Sequence, residues 1–255
     1  MRYIDTHAHY NDEVYKDNLD EILDIIKKAN VDKIINVGYS VEGSRESIEL
    51  AKKYDNIFST IGIHPESIND NVDKLEELYN INKGEKIVAV GEIGLDYAYI
   101  QDNKEKQIDL FIKQIKLAEK LKLPIVIHSR DAALDTYNII KDNVNIGTKL
   151  LFHCFAPTDD LVRLVLERKY FVAFGGNITY PRNVSFKKYI EMIPVEQMVM
   201  ETDSPYLTPI PFRGKINNSS NLNLVCSKLA EYKNIDEEEL SKILYNNSIQ
   251  FFDLK

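Results

Sequence analysis

The sequence predicts an α/β fold, a (β/α)8 TIM barrel in which residues 1–255 form a single domain. Eight short apolar, β-favouring runs alternate with polar segments that favour helix, and no hairpin signal joins two of the runs. The runs recur about every 28 residues, which is the length of one βα unit with its crossover helix. The chain lacks the GxGxxG motif of an open dinucleotide-binding sheet, so a closed barrel is favoured.

The predicted strands are short, and each is followed by a polar segment. They are Arg2–Thr6, Lys33–Val37, Ile57–Ile63, Lys86–Val90, Pro124–Ile127, Lys149–Phe152, Tyr170–Phe174 and Met198–Met200. Apolar residues three and four apart predict amphipathic helices at Leu19–Ala29 and Gln107–Leu121. After the eighth strand, the Pro-rich stretch Ser204–Pro211 leads into helical segments at Asn221–Tyr232 and Glu237–Phe252, which close the outer ring.

The composition is that of an ordinary globular protein. Hydrophobic residues make up 44% and charged residues 28% of the chain, without low-complexity tracts, which excludes a disordered or fibrous chain. The longest apolar runs are far shorter than the ~20 residues of a membrane span. The net charge of −8 provides no broad basic surface, so a polyanionic substrate needs a metal or a few placed Arg and Lys side chains.

The N-terminus and the cysteines favour the cytoplasm. The segment Met1–His7 becomes polar at once and lacks the apolar core of a signal peptide. Cys154 and Cys226 are too few for a disulfide framework and form no CxxC motif, which fits a reducing compartment. We therefore expect a cytoplasmic monomer with no membrane partner.

The histidines mark a candidate site. All five follow the predicted strands one, three, five and six, and two carboxylates, Glu92 and Asp203, end strands four and eight. Active sites of such barrels are built at the C-terminal ends of the strands. The histidines are His7, His9, His64, His128 and His153.

These residue types indicate a metal centre. His7 and His9 are two apart on a strand, so their side chains face the same side and can share one ion with Asp203. His128 and His153 can hold a second ion. Glu92 can bridge the two ions across the ~4 Å typical of two-metal sites. The sequence predicts two divalent cations and does not distinguish Zn, Mg, Mn, Co and Ni.

Each of these residues also has a structural interpretation. His64 is equally well explained as a hydrogen-bonded structural histidine. Glu92 could cap a helix and Asp203 could cap the following turn, although both lie where the imidazoles converge. Glu201 and Asp203 share a face; we assign the ligand role to Asp203, nearer the rim, and a structural role to Glu201.

A second layer of basic and aromatic residues follows the same strands. Arg130, Arg213 and Lys215 could hold phosphates, although Arg130 could instead pair with Asp131. The aromatic rings could stack on bases or pack on the barrel top. These aromatic residues are Tyr97, Tyr99, Phe155, Tyr206 and Phe212.

Seven motifs, taken together, resemble the TatD family of metal-dependent deoxyribonucleases. Each is weak alone, but their order and spacing from residue 5 to the C-terminal helices are specific to that family. They are Asp5–His9 (DTHAH), Gly62–Pro65 (GIHP), Gly91–Tyr97 (GEIGLDY), Ile127–Ala132 (IHSRDA), His153–Phe155 (HCF), Glu201–Leu207 (ETDSPYL) and Arg213–Lys215 (RGK).

The resemblance implies a barrel that hydrolyses DNA phosphodiester bonds with a divalent-metal centre, often as a 3′ to 5′ exonuclease acting on single strands or 3′ ends. His64, Arg213 and Lys215 would contact the substrate phosphate. A metal-activated water would lose its proton to Asp203 and attack phosphorus. Together with His64, Glu92 and Asp203 form the implied catalytic set. The implied metal ligands are His7, His9, Glu92, His128, His153 and Asp203.

The chain departs from the family pattern in its substrate loops. Ala156–Pro157 replaces Ser-Gly after the sixth strand, Ala98 replaces a second Tyr, and Ile216–Asn217 follows the RGK motif in place of Asn and an acidic residue. The same ligands could therefore serve a metal-dependent amide or ester hydrolase, such as an aminoacyl-tRNA deacylase. A non-enzymatic metal-binding scaffold is the remaining alternative.

Overall fold

In the computed structural model, which describes residues 1–98 and 103–255, eight parallel strands form one sheet in sequential order. The predicted (β/α)8 barrel is confirmed. The strands are β1 (Tyr3–Ala8), β2 (Val31–Asn36), β3 (Ile57–Ile61), β4 (Ile87–Asp96), β5 (Ile125–Arg130), β6 (Leu150–Phe152), β7 (Phe171–Phe174) and β8 (Met198–Met200).

The α-helices of the described residues lie between and after the strands. The predicted helices at residues 19–29, 107–121, 221–232 and 237–252 are present with small changes at their ends. The helices are α1 (Leu19–Lys28), α2 (Val41–Lys53), α3 (Val72–Ile81), α4 (Lys104–Leu121), α5 (Ala133–Asn143), α6 (Asp159–Arg168), α7 (Phe186–Met192), α8 (Leu222–Lys233) and α9 (Glu237–Phe252).

The barrel closes between its last and first strands through the chain that follows β8. The backbone N–H of Asp203 donates to the His7 carbonyl at 2.9 Å, and that of His9 donates to the Ser204 carbonyl at 2.8 Å. A parallel bridge joins Ala8 and Ser204. The closure therefore ties the His-x-His segment directly to the segment that carries Asp203.

The barrel interior is filled by one apolar side chain from each strand, as expected for a small closed barrel. The C-terminus plugs its lower end with Phe251, Phe252 and Leu254. Lys149 holds this plug, since its Nζ donates to the Gln250 carbonyl at 2.8 Å. The interior residues are Ile4, Ile35, Phe58, Ala89, Val126, Leu151, Ala173 and Val199.

Strand β4 differs from the sequence prediction. It continues through Glu92 to Asp96, so Glu92 lies within the strand and not at its end. The apolar run stops at Val90, but the neighbouring strand β5 supports the continuation, with Gly94 opposite His128. A Cβ on Gly94 would lie 1.9 Å from the His128 carbonyl oxygen, so only glycine permits this close approach.

Within the described residues, no helix is both long and apolar enough to cross a lipid bilayer.

Candidate metal centre

His7, in β1, and His9, directly after β1, point to the same place, as their spacing predicts. The Nε2 atoms of His7 and His9 each lie 3.6 Å from Oε1 of Glu92. They also lie 3.7 and 3.5 Å, respectively, from Oδ1 of Asp203. One carboxylate oxygen of each acid therefore faces both imidazoles. We call His7, His9 and Asp203 the first half of the site.

His128, in β5, and His153, directly after β6, form the second half of the site. Nδ1 of His128 lies 3.3 Å and Nε2 of His153 lies 3.1 Å from Oε2 of Glu92. The same two ring nitrogens are 3.1 Å apart. Glu92 thus presents one oxygen to each half, as a bridging carboxylate must.

The backbone after β8 turns sharply to aim Asp203 at the first half. Asp203 has a φ of +57°, in the left-handed region that non-glycine residues seldom adopt. Its N–H is held by the His7 carbonyl, which fixes the turn against β1. The Asp203 side chain is 16% exposed, whereas that of His7 is fully buried. Asp203 therefore lies on the open side of the site.

The electrostatics of the site keep its carboxylates ionised. Burial raises the pKa of Glu92, but the imidazoles of His153, His7 and His64 outweigh burial and hold that pKa well below its usual value. Burial likewise opposes ionisation of Asp203, and the hydrogen bond from His9 and the nearby imidazoles outweigh it, so its pKa is lowered. Both acids are anionic at neutral pH.

The imidazoles respond in opposite directions. Burial lowers the pKa of His7, and the neighbouring His153 lowers it further. For His153, burial is outweighed by the Glu92 and Glu201 carboxylates, and the pKa is raised well above its usual value. The carboxylates beside His153 therefore favour its charged form, whereas burial favours the neutral form of His7.

Unpartnered buried nitrogens show that these residues fit a divalent cation. Both ring nitrogens of His7, and Nδ1 of His153, are buried without a hydrogen-bond partner among the described residues. Leaving such groups unpaired is costly, whereas a cation uses an imidazole lone pair. Ligand atoms lie within 4.8 Å of one another in four sets: His7–His9–Glu92, His7–His153–Asp203, Glu92–His128–His153 and His64–Asp96–His128.

His64 lies beside the second half but has a different chemical character. Its Nδ1 accepts a hydrogen bond from the Glu66 N–H at 3.2 Å, and its ring contacts the His128 ring with centroids 4.3 Å apart. Burial lowers its pKa to about 3, so the ring is neutral. A neutral ring that accepts at Nδ1 carries its hydrogen on Nε2. His64 can therefore donate a hydrogen bond from Nε2, and its ring also belongs to a set of possible ligand atoms with Asp96 and His128.

The rim residues are spread more widely than the ligand set. Arg213 lies over the Tyr180 ring at 4.7 Å, and Lys215 lies over Phe212 at 5.3 Å. Arg130 is exposed at the end of β5, where its charge helps to lower the pKa of the Asp96 carboxyl. These cations surround the opening and are absent from its floor among the described residues.

The predicted aromatic residues separate into two groups. Tyr206 is 54% and Phe212 is 41% exposed, and the Tyr206 ring meets the His9 ring edge-on at 6.3 Å. Tyr97 and Phe155 are buried and pack into the barrel top. Tyr99 lies outside the described residues.

Three residues near the ligands escaped the sequence analysis or received another role. Tyr39 contacts His9 edge-on at 5.9 Å, and no motif marks it. Asp96 lies 3.1 Å from Nε2 of His128. Its position in step with Glu92 and Gly94 along one strand was a signal that could have identified it. Glu201, expected to be structural, approaches His153.

The chain is similar to metal-dependent hydrolases of other organisms. The family described as TatD related DNase matches residues 4–253. The "uncharacterized metal-dependent hydrolase YabD" of Bacillus subtilis is 35% identical, over 97% of this chain and 98% of that protein. The "uncharacterized metal-dependent hydrolase MJ1582" of Methanocaldococcus jannaschii is 34% identical, over 99% of this chain and 97% of that protein.

Solved structures of TatD homologues are also similar to this chain. The crystal structure of YjjV, a TatD homologue from Escherichia coli K12, has a TM-score of 0.91 at 28% identity, covering 100% of this chain and 99% of that one. A TatD-family hydrolase from Entamoeba histolytica has a TM-score of 0.88 at 26% identity, covering 99% and 98%. The resemblance stated from the motifs is confirmed, and the chain belongs to the TatD family of metal-dependent hydrolases.

Proposed function

We propose that this hydrolase cleaves phosphodiester bonds of DNA, as a 3′ to 5′ exonuclease on single strands or 3′ ends. The observation that carries the proposal is the position of Glu92, whose two oxygens face the two halves of the site separately. A carboxylate shared in this way suits two cations. The name of the matching family supports DNA as the substrate.

The proposed ligands are the residues already brought together. His7, His9 and Asp203 would hold one cation, His128 and His153 the other, and Glu92 both. Bound divalent ions polarise a phosphoryl oxygen and make a coordinated water more acidic.

Side chains on the open side of the metal site would perform the remaining chemical steps. Asp203 is ionised and partly exposed, so it can accept the proton of the attacking water. His64 is neutral and can donate a hydrogen bond from Nε2 to a phosphate oxygen. Neither role requires a protein nucleophile.

The rim fits a substrate that is both anionic and aromatic. Arg213, Lys215 and Arg130 provide positive charge around the opening of an otherwise acidic chain. Exposed rings such as Tyr206 and Phe212 provide faces on which unpaired bases can stack. A single strand exposes such bases, whereas a duplex does not.

Metal-stripped protein incubated with 5′-labelled single-stranded DNA tests this proposal, with Mg, Mn or Zn restored separately. We expect a metal-dependent ladder of shortened products, and release of labelled mononucleotide when the label is placed at the 3′ end. Asp203→Asn should slow formation of the ladder about 10²-fold, whereas Asp24→Asn, on the exposed face of α1, should not change it. This pair excludes a contaminating nuclease.

The opposite result separates the alternatives. If the protein binds metal but cleaves no DNA, the nuclease proposal fails, and model esters, amides and aminoacyl-tRNA become the substrates to assay. Absence of turnover on all of these substrates would favour a metal-binding scaffold.

A further inference from the structure

Asp96 is held rigidly behind the second half of the site. It lies at the end of β4 and is 5% exposed. Gln107 of α4 clamps its backbone, accepting from the Asp96 N–H and donating to the Asp96 carbonyl, each at 2.9 Å. The two carboxylate oxygens are also engaged: Oδ1 accepts from the Ala98 N–H at 2.9 Å, and Oδ2 lies 3.1 Å from Nε2 of His128.

This contact gives the outer nitrogen of His128 a fixed partner. An ionised carboxylate only accepts hydrogen bonds, so Nε2 of His128 donates to Asp96. Nδ1 points into the site, where Oε2 of Glu92 and Nε2 of His153 lie 3.3 and 3.1 Å away. A divalent cation placed there would displace any hydrogen on Nδ1 and use its lone pair, while the hydrogen on Nε2 stays with Asp96.

Glu201 stands in the same relation to His153. Its side chain is fully buried, and Oε1 accepts from the Cys154 N–H at 2.6 Å. Oε1 also lies 3.6 Å from Nδ1 of His153, and neither that nitrogen nor Oε2 of Glu201 has a hydrogen-bond partner. When a cation takes the lone pair of Nε2, the hydrogen of the neutral His153 ring lies on Nδ1, the nitrogen that faces Glu201.

The first half of the site differs in what lies behind its most deeply buried ring, that of His7. Nδ1 of His7 is buried and has no hydrogen-bond partner among the described residues. No contact on that side selects which nitrogen of His7 carries the hydrogen. Among the described residues, a carboxylate thus lies behind each of His128 and His153, whereas Nδ1 of His7 has no such partner.

We propose that Asp96 and Glu201 are positioning residues that fix the hydrogen on Nε2 of His128 and on Nδ1 of His153, so that the opposite nitrogens bind a divalent cation. This inference rests on the proposed metal site. Partners of this kind change metal affinity by about 10- to 100-fold when they are removed.

Asp96→Asn gives the most specific prediction, because an amide has one acceptor and one donor end. Ala98 requires an acceptor, so the amide oxygen goes to Ala98 and the NH2 group faces Nε2 of His128. His128 must then accept at Nε2 and carry its hydrogen on Nδ1. The nitrogen that faces the site loses its lone pair.

The experiment reads the ring hydrogens first, in the zinc-loaded protein. Long-range ¹H–¹⁵N correlation spectra show which nitrogen of each histidine carries the hydrogen. We expect Nε2–H for His128 and Nδ1–H for His153 in the wild type, and loss of this form at His128 alone in Asp96→Asn. Nδ1–H at His128 in the zinc-loaded wild type would overturn the proposal.

Calorimetric titration with Mn or Zn then measures affinity without any substrate. We expect one binding event to weaken about 10- to 100-fold in Asp96→Asn and less in Glu201→Gln, which retains an acceptor. Asp135→Asn is the matched control, since Asp135 accepts from the Tyr97 hydroxyl at 2.8 Å and contacts no proposed ligand.

The two proposals fail in different ways. Unchanged affinity in a folded Asp96→Asn protein would overturn the positioning role while leaving the metal site intact. A folded wild type that binds no divalent cation in the calorimetric titration would overturn the proposed site itself.

Discussion

The two halves of the site use the same residue types but are supported differently. In the first half, His7 and His9 lie 3.5 to 3.7 Å from carboxylate oxygens, and Asp203 faces the open side. In the second half, His128 and His153 lie 3.1 to 3.3 Å from Glu92 and have further carboxylates behind them.

The difference lies in what surrounds each half, because the exposed fractions are similar, 16% for the Asp203 side chain and 15% for that of His128. A ring with a carboxylate behind it is oriented before a cation arrives, so the second half would be suited to retaining a cation. The first half lies beside Tyr39 and the exposed Tyr206, so it would be suited to contacting substrate. Changes in one half should therefore have a different signature from changes in the other.

The largest effect is expected from Glu92→Gln, which removes the charge that both halves share. We expect kcat/KM to fall about 10³-fold or more, because several kcal/mol of metal-based stabilisation are lost. Measured metal content should fall at both halves. Glu119→Gln is the matched control at the lower end of the barrel. Full activity in Glu92→Gln would rule out a bridging role.

Asp203→Asn should affect the two halves of the site differently. The amide cannot accept the proton of the attacking water, so kcat should fall about 10²-fold. The cation of the second half should remain bound, because Asp203 contacts neither His128 nor His153 at ion-pair distance. Metal analysis of the dialysed variant checks this. Loss of both ions would show that the halves do not act independently.

His64→Gln should change the pH dependence of stability in the metal-free protein. The pKa of His64 falls from 6.5 to about 3 on folding, so the unfolded state binds the extra proton between these values. The free energy of unfolding therefore decreases as pH falls below 6.5, by about 2 kcal/mol at pH 5. His64→Gln should lack this contribution. Chemical denaturation at pH 5 and pH 8 measures the free energy of unfolding of both proteins. An equal change between the two pH values in wild type and His64→Gln would contradict the lowered pKa of His64.

The smallest effect is expected at the rim. Arg213→Ala should weaken binding of single-stranded DNA a few-fold and reduce its salt dependence by about one phosphate contact. Fluorescence anisotropy at several salt concentrations measures both. Arg2→Ala, at the opposite end of the barrel, is the control, since Arg2 pairs with Asp32 at 2.6 Å. An equal loss in the two variants would show a general charge effect.

Periodicity and motif spacing predicted the barrel and the converging residues because both are local properties of the chain. The His7–His9 pair followed from the two-residue repeat of a strand, and it is confirmed that both rings face Glu92. Glu92 was placed at a strand end because the apolar run stops at Val90. In the structure β5 extends the strand, which only pairing with a distant segment could reveal.

The sequence by itself determined the number of βα units, the rim at which function lies and the residue types that suit a divalent cation. The tertiary structure decided which oxygen of Glu92 faces which half, and that Asp96 lies behind His128. Those contacts join strands whose register depends on side-chain packing and on the close approach at Gly94. The hydrophobic pattern of a strand indicates which of its faces is buried, but the residue that lies opposite on the neighbouring strand depends on a segment that is distant in the sequence.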